Sequence, residues 1–277
     1  MAENDQQFED AEEVGEIVIK ADDALANAKQ VKGIWFPKHD KHLSGMVEKH
    51  SKIGDVTLKD GRVVGTYQKH KMDFAMRQAV AADRRRVAID IGAHVGLWSM
   101  HLAELFKRVE AFEPLTLHQK LFALNVPNGN VNLHPVGLGD MHGTARIVLD
   151  HLNTGNAHVI GDDADELNDV AHKERRRLGI KTDAPVETET VEIAPLDDWN
   201  FEGVDLIKID VEGYELPVVR GARETILSNK PVVIVEQKGN DTKFRGETRN
   251  SAGQYLRDIG MTLIQDYGGD WIMGWPK

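Results

Sequence analysis

VAIDIGAHVGLW, residues 87–98, is the stretch that decides the fold of this chain. Its first half is apolar and β-branched, which predicts a buried strand. The strand nevertheless carries Asp90 and passes at once into a turn with two glycines, Gly92 and Gly96. A carboxylate beside a glycine turn, between a strand and a helix, predicts a ligand-binding turn.

Further runs of strand length follow along the chain. The five predicted strands are VAIDIG (87–92), RVEAFEP (108–114), NVNLHPVGLG (130–139), VDLIKIDVEG (204–213) and PVVIVEQ (231–237). The first three begin about 22 residues apart, which is the length of a strand, a helix and two loops. This spacing predicts an α/β fold with a parallel sheet.

Helical patterns separate most of these strands. LWSMHLAELF (97–106) and ELPVVRGARETILSN (215–229) each gather apolar residues on one side, which predicts that these sides face the core. GTARIVL (143–149) is predicted to be an additional strand. Near the end, SAGQYLRDIG (251–260) is predicted to be a short helix, and MTLIQDYGGDWIMGW (261–275) a hairpin around a GGD turn.

Charge divides the chain into regions. Residues 1–24 hold nine acids and one lysine, so residues 1–30 are predicted to be an acidic, disordered tail. Residues 31–82 are predicted to be an N-terminal extension on the substrate side, and residues 83–277 the main domain, with an exposed, charged insertion at 161–190. Residues 31–78 carry ten Lys or Arg against five acids, which fits either an anionic partner or a solvated surface.

Composition narrows the class of protein. The length of 277 residues and the 41% hydrophobic content favour a single domain with additional segments over two full domains. It has neither an apolar run of membrane-spanning length nor a basic, apolar N-terminus, so we expect a cytoplasmic protein with no membrane partner. Cysteine is absent, which excludes disulfides, thiolate zinc sites and cysteine nucleophiles.

Acidic residues stand at or near the carboxyl ends of four predicted strands. They are Asp90, Glu113, Asp210 and Glu236, with Asp140 just beyond the remaining strand. In an open parallel sheet these ends face one crevice, where like charges raise one another's pKa unless positive charge is present. Each acid alone could instead cap a helix, and Glu113 before Pro114 has the form of a helix entry. Together they predict a ligand-binding crevice that needs positive charge.

The glycine pattern narrows the ligand. A dinucleotide turn has the form G-x-G-x-x-G, whereas Asp90 to Gly96 reads D-x-G-x-x-x-G, with a negative group beside the turn. This favours a ligand without phosphates, and S-adenosylmethionine, with its sulfonium and ammonium, fits. Glu113, 21 residues after Gly92, is spaced to accept both ribose hydroxyls. Asp140 could then take the adenine amino group.

Several segments resemble the FkbM-type S-adenosylmethionine-dependent methyltransferase family over roughly residues 85–240. The most specific are DIGAHVG (90–96) and IDVEGYE (209–215). The resemblance implies a class I methyltransferase, Rossmann-like fold, with a seven-stranded, mostly parallel sheet whose last strand is antiparallel, and methyl transfer usually to a hydroxyl oxygen. The residues to which we assign cofactor binding are Asp90, Gly92, Ala93, His94, Val95, Gly96, Glu113, Pro114, Asp140, Met141 and Asp210.

Hydroxyl methylation requires removal of a proton, and three acids are candidates for the general base. Asp210, Glu212 and Glu236 are expected to lie together, so that each raises the pKa of the others. Alternatively, they hold the loop or bind a divalent cation that lowers the pKa of the hydroxyl. His94 is expected to orient the cofactor turn. WFPKHDKH (35–42) offers metal ligands without further support, so no resident metal is predicted.

The predicted acceptor is a hydroxyl group of a small molecule or sugar. D-V-E-G replaces the N-P-P-Y-like motif of base-amine methyltransferases, and carbon-5 pyrimidine enzymes need a cysteine. Ribose 2′-hydroxyl methylation of RNA remains the alternative among enzymes that act on nucleic acid. A non-catalytic cofactor-binding module and an NAD-dependent oxidoreductase are the alternatives from other classes.

Overall fold

A computed structural model describes residues 25–50, 54–78, 83–149, 154, 158–160, 188–237 and 250–276. In chain order its strands are β1 (Ala28–Val31), β2 (Ile34–Pro37), β3 (Val56–Thr57), β4 (Val63–Val64), β5 (Val87–Ile91), β6 (Arg108–Phe112), β7 (Val131–His134), β8 (Gly137–Leu138), β9 (Gly143–Val148), β10 (His158–Ile160), β11 (Thr188–Ala194), β12 (Val204–Ile209), β13 (Val232–Glu236), β14 (Thr262–Asp266) and β15 (Asp270–Gly274). The α-helices are α1 (Leu43–His50), α2 (Lys69–Gln78), α3 (Ser99–Leu105), α4 (Thr116–Asn125), α5 (Glu215–Gly221), α6 (Arg223–Asn229) and α7 (Ser251–Asp258), and a 3-10 helix spans Leu196–Trp199.

A seven-stranded sheet forms the centre, in the order β14-β15-β13-β12-β5-β6-β7. Within this sheet β13, β12, β5, β6 and β7 run parallel to one another, whereas β15 is antiparallel to both β13 and β14. The predicted class I methyltransferase fold is therefore confirmed, and so is the C-terminal hairpin. Because β5 and β12 lie in the middle with helices on both faces, every residue of both strands is buried.

Two predicted elements are each divided in the structure. The run at residues 130–139 is not one strand: β7 ends at His134, because Pro135 has no N–H for the ladder, and β8 pairs with β11 in another sheet. The helix predicted at residues 215–229 is two helices, α5 and α6, which meet at Ala222. A Cβ on Gly221 would lie 1.8 Å from the carbonyl oxygen of Gly139, so this end of α5 requires glycine for close packing.

A smaller, four-stranded sheet has the order β10-β9-β11-β8. Its strand β9 confirms the additional strand predicted at residues 143–149. Most of the predicted insertion, residues 161–187, lies outside the described residues, as does the acidic tail through residue 24. Residues 28–30, predicted as part of the disordered tail, instead belong to β1, and residues 188–190, predicted as part of the insertion, belong to β11.

The described part of the N-terminal segment shares a core with the ligand-binding turn. The apolar residues contributed by the segment are Ile34, Phe36, Leu43, Val47, Leu58 and Val64, and they pack with Val95, Leu97 and Phe122. The side chain of Asn125 also links the segment to the turn by hydrogen bonds. It accepts from the Trp35 N–H and donates to the carbonyl oxygens of Trp35 and Val95. Within the described ranges, no helix has the length and apolar character needed to cross a membrane.

Candidate functional site

A cavity opens at the carboxyl ends of β5, β6 and β12. Its wall includes Gly92, Glu113, Lys208 and Asp210, together with apolar side chains such as Leu138. Parallel strands place their carboxyl ends along one edge, and this is where open α/β sheets bind ligands. The predicted crevice therefore coincides with a cavity in the structure.

Glycine is required at both positions of the turn, but for a different steric reason at each. Gly92 has φ +73°, and a Cβ there would lie 1.9 Å from the carbonyl oxygen of Asp210. Gly96 has φ +89°, and a Cβ there would lie 2.4 Å from Cγ2 of Val126. Gly92 thus allows the turn to touch the end of β12, and Gly96 allows it to pack beside α4.

Asp90 lies behind the turn and not on the cavity wall. It is fully buried, accepts a hydrogen bond from Oγ of Ser99 at 2.6 Å, and lies with Oδ1 3.3 Å from Nζ of Lys208. The carboxylate in the middle of VAIDIG therefore pairs with a buried lysine of the neighbouring strand. Asp90, predicted from the sequence to bind the cofactor, thus supports the turn and does not line the cavity.

Lys208 supplies the positive charge that the acidic crevice requires. Its ammonium donates to the carbonyl oxygen of Gly92 at 2.9 Å and lies 3.9 Å from Oδ2 of Asp210. Burial lowers the pKa of Lys208, but the charges of Asp90, Asp210 and Glu236 outweigh it and hold the pKa above its ordinary value. The sequence interpretation missed this residue, although one lysine among the apolar residues of VDLIKI is a visible signal.

Glu113 lies on the cavity wall at the end of β6, as the ribose assignment requires. Its Oε2 accepts from the His94 N–H and its Oε1 from the Leu115 N–H, both at 2.9 Å. Nδ1 of His118 lies 3.3 Å from Oε1. Each carboxylate oxygen has two lone pairs, so these contacts leave acceptor capacity for a ligand. The helix-entry and ligand-binding interpretations of Glu113 are therefore compatible.

The other predicted cofactor residues have varied positions. Ala93, His94 and Pro114 line the cavity, while Val95 is buried in the core. Asp140 and Met141 are not on the cavity wall. The Asp140 carboxylate lies 4.0 Å from the Arg220 guanidinium, and Met141 is 71% exposed. The division of the third predicted strand places Val136 on the wall in their stead, and the adenine assignment stays a prediction.

Asp210, Glu212 and Glu236 come together beside the turn. One oxygen of each carboxylate lies within 4.8 Å of the others, and all three residues are partly buried. Glu212 has φ +55° and Gly213 φ +104°, so the backbone reverses sharply after β12 and returns Glu212 to the cavity. Each of these carboxylates could act as a general base, and the spacing of the group also suits ligands to a divalent cation.

Glu215 holds this acidic loop from behind and was not singled out in the sequence. Its Oε1 accepts from the N–H groups of Val211 at 3.3 Å and Gly213 at 3.0 Å. Burial, assisted by the charge of Asp210 and opposed by these hydrogen bonds, raises the pKa of Glu215 to about 7. Its position in IDVEGYE, one helical turn from Val211, is the signal that could have identified it.

His94 connects the turn to two distant segments. Its Nε2 lies 3.0 Å from Oγ1 of Thr154, and that hydroxyl donates to Oδ2 of Asp40 at 2.8 Å. Burial first, and then the charges of His118 and Lys208, lower the pKa of His94 well below its ordinary value. Asp40 belongs to the WFPKHDKH motif, and here its carboxylate also accepts from the Ser44 N–H.

The sequence is similar to those of known methyltransferases. The sequence matches the Methyltransferase FkbM domain over residues 90–268. It is 28% identical to Methyltransferase sdnD of Sordaria araneosa over 49% of this chain and 60% of that protein. It is 24% identical to Methyltransferase 1 of Beauveria bassiana over 55% of this chain and 66% of that protein, so it spans less than two thirds of either relative.

Among solved structures, methyltransferase FkbM from Methylobacillus flagellatus is similar with a TM-score of 0.41 and 17% identity. The similarity covers 69% of this chain and 44% of that one. The FkbM domain match covers well over half of the residues and includes both the glycine turn and the acidic loop. The chain belongs to the FkbM methyltransferase family.

Proposed function

We propose that this methyltransferase transfers a methyl group from S-adenosylmethionine to a hydroxyl oxygen of a small molecule or sugar. The observation that carries the proposal is the cluster of Asp210, Glu212 and Glu236, whose carboxylate oxygens lie within 4.8 Å of one another beside the glycine turn. A methyl acceptor with a hydroxyl group must lose a proton, and these carboxylates are the acceptors at hand.

The cavity suits S-adenosylmethionine by the chemistry of its walls. Glu113 keeps acceptor capacity on Oε2 for a ribose hydroxyl, and Leu115, Val136 and Leu138 offer an apolar surface for a flat base. Negative charge at Asp210 complements a sulfonium and an ammonium. The bound cofactor supplies a methyl group already activated by a positive sulfur.

The protein then has to orient the methyl donor and the base, and to remove the proton of the acceptor hydroxyl. The contact of Gly92 with the end of β12 fixes the turn against the acidic loop, so that the donor and the base keep a fixed position relative to each other. Glu215, through Val211 and Gly213, fixes the loop itself. A carboxylate of the cluster removes the hydroxyl proton as the oxygen attacks.

A divalent cation on the same carboxylates is the alternative way to activate the hydroxyl. Three hard oxygen ligands at this spacing suit such a cation. Turnover after treatment with EDTA separates the two, because base catalysis by carboxylates survives chelation and cation-assisted activation does not.

RNA ribose methylation is less favoured than a small acceptor. Among the described residues of the basic segment, four cations are paired with acids: Lys32 with Asp55, Arg62 with Asp60, Lys69 with Asp73, and Lys71 with Asp270. These pairs reduce the charge available to phosphates. Membership in a methyltransferase family likewise favours methyl transfer over the NAD-dependent and non-catalytic alternatives.

Two measurements test the proposal. Isothermal titration should show binding of S-adenosylmethionine and not of NAD. Labelled methyl groups should pass from S-adenosylmethionine to a metabolite or sugar fraction, in a product that resists alkali as a methyl ether does and a methyl ester does not. A labelled product on RNA, or on nitrogen, would contradict the proposed acceptor, while absence of donor binding would contradict the whole proposal.

A further inference from the structure

The ammonium of Lys208 has three N–H donors, and its contacts with described residues occupy two of them. Of its three N–H groups, one donates to the carbonyl oxygen of Gly92 at 2.9 Å and a second faces Oδ1 of Asp90 at 3.3 Å. Oδ2 of Asp210 lies at 3.9 Å, which is beyond hydrogen-bond distance. Among the contacts of the described residues, one donor is therefore left for a group in the cavity.

Lys208 reaches the cavity although it is only 5% exposed to solvent. Of the described residues on the wall, it is the single lysine or arginine. A buried cation with a remaining donor is costly unless an acceptor meets it, and an anionic acceptor gives the strongest contact. This points to a negatively charged ligand group at Lys208.

The neighbouring Asp210 limits what that group can be. An isolated anion at Lys208 would lie near the carboxylates of both Asp90 and Asp210 and be repelled by them. A zwitterion avoids this penalty, because its ammonium can face Asp210 while its carboxylate faces Lys208. The 3.9 Å between Nζ of Lys208 and Oδ2 of Asp210 offers opposite charges side by side, as the two groups on one α-carbon require.

We propose that Lys208 and Asp210 form the subsite for the α-amino-acid end of the methyl donor, in which Lys208 donates to the α-carboxylate and Asp210 accepts from the α-ammonium. The inference rests on the proposed donor, S-adenosylmethionine, and adds which residues hold its methionyl part. Because the pKa of His94 is lowered well below its ordinary value, His94 is less suited than Lys208 to bind a carboxylate as a cation. Proton removal from the acceptor then belongs to Glu212 or Glu236.

Two ligands separate this role from a purely structural one. S-adenosylhomocysteine carries the amino-acid end, whereas 5′-methylthioadenosine has the same adenosine and a thioether but lacks that end. In titrations of Lys208→Met, we expect S-adenosylhomocysteine to bind about 10- to 100-fold more weakly than to the natural protein. Binding of 5′-methylthioadenosine should change by less than about 3-fold, since charged hydrogen bonds are lost only with the first ligand. Equal weakening of both ligands, or no weakening of either, would overturn the inference.

A test on the unaltered protein avoids dependence on the folding of the variant. The analogue of S-adenosylhomocysteine without its carboxylate keeps the ammonium and should bind about 10-fold or more weakly. Equal affinity of the two ligands would overturn the carboxylate contact. If the unaltered protein bound none of these adenosine ligands, the proposed donor would be wrong, which is a different outcome from failure of the subsite.

Discussion

The glycine turn after β5 and the acidic loop after β12 are neighbours that use carboxylates in opposite ways. At the end of β5, behind the turn, Asp90 is fully buried and held by Ser99 and Lys208. In the loop, Asp210 and Glu212 are partly buried and line the cavity. The comparison teaches that an acid at the end of a strand is not by itself a ligand-binding group. Its burial and its partners decide whether it supports the site or faces the ligand.

The largest effect is expected from the loop, on turnover. Of the variants Asp210→Asn, Glu212→Gln and Glu236→Gln, the one that removes the general base should lower kcat by about 100- to 10,000-fold. Stability should change little, because the side chains keep their size and partial exposure. Rates are measured with saturating donor, with Glu202→Gln, an exposed acid, as the control. Unchanged rates in all three variants would remove the base from this cluster.

A steric change in the turn tests whether the two regions must touch. Gly92→Ala puts a Cβ 1.9 Å from the Asp210 carbonyl oxygen at φ +73°, so we expect it to lower the free energy of unfolding by about 3 kcal/mol or more. Gly45→Ala in α1 is the matched control, since a Cβ there meets nothing within 4 Å. Chemical denaturation measures both. A Gly92→Ala protein as stable as the control would show that the contact is dispensable.

The pH dependence of stability tests the support of the acidic loop. The folded protein raises the pKa of Glu215 from 4.5 to about 7, so the folded state keeps a proton that the unfolded state releases. The stabilising contribution is complete below pH 4.5 and is lost as the pH rises through about 7. The loss amounts to no more than about 3 kcal/mol.

Glu215→Gln keeps an acceptor oxygen for Val211 and Gly213 and removes the titration. The difference in unfolding free energy between the natural protein and this variant should therefore shift in favour of the variant as the pH rises from 4.5 to 7. Denaturation curves at several pH values measure it. A difference independent of pH would contradict the assigned titration.

The smallest effect concerns Glu113, which belongs to β6 and accepts from the turn at His94. If its carboxylate accepts from the ribose hydroxyls, 2′-deoxy-5′-methylthioadenosine should bind the natural protein about 10-fold more weakly than the parent nucleoside. In Glu113→Gln this difference should shrink, because the hydroxyl loses its charged acceptor. Titration of both nucleosides against both proteins gives the coupling. A difference of the same size in both proteins would place the ribose elsewhere.

The sequence by itself determined the family and the order of the main elements. Apolar runs of strand length predicted six of the seven central positions directly, since β5, β6, β12, β13 and the hairpin strands β14 and β15 lie where those patterns place them. The third run was predicted as one strand, although Pro135 within it removes a ladder donor and marks the end of β7. Local patterns such as alternation, glycine spacing and breakers carry this information because they act over a few residues.

Tertiary structure alone decided which charges meet. The sequence placed acids at the strand ends and predicted a need for positive charge, but Lys208 became its source only when β12 paired beside β5. The same pairing brought Asp210 against Gly92, and the return of the loop brought Glu212 toward Glu236. Coulombic and desolvation energies depend on distance and burial between segments more than 100 residues apart, such as Asp90 and Lys208, and no short pattern encodes either quantity.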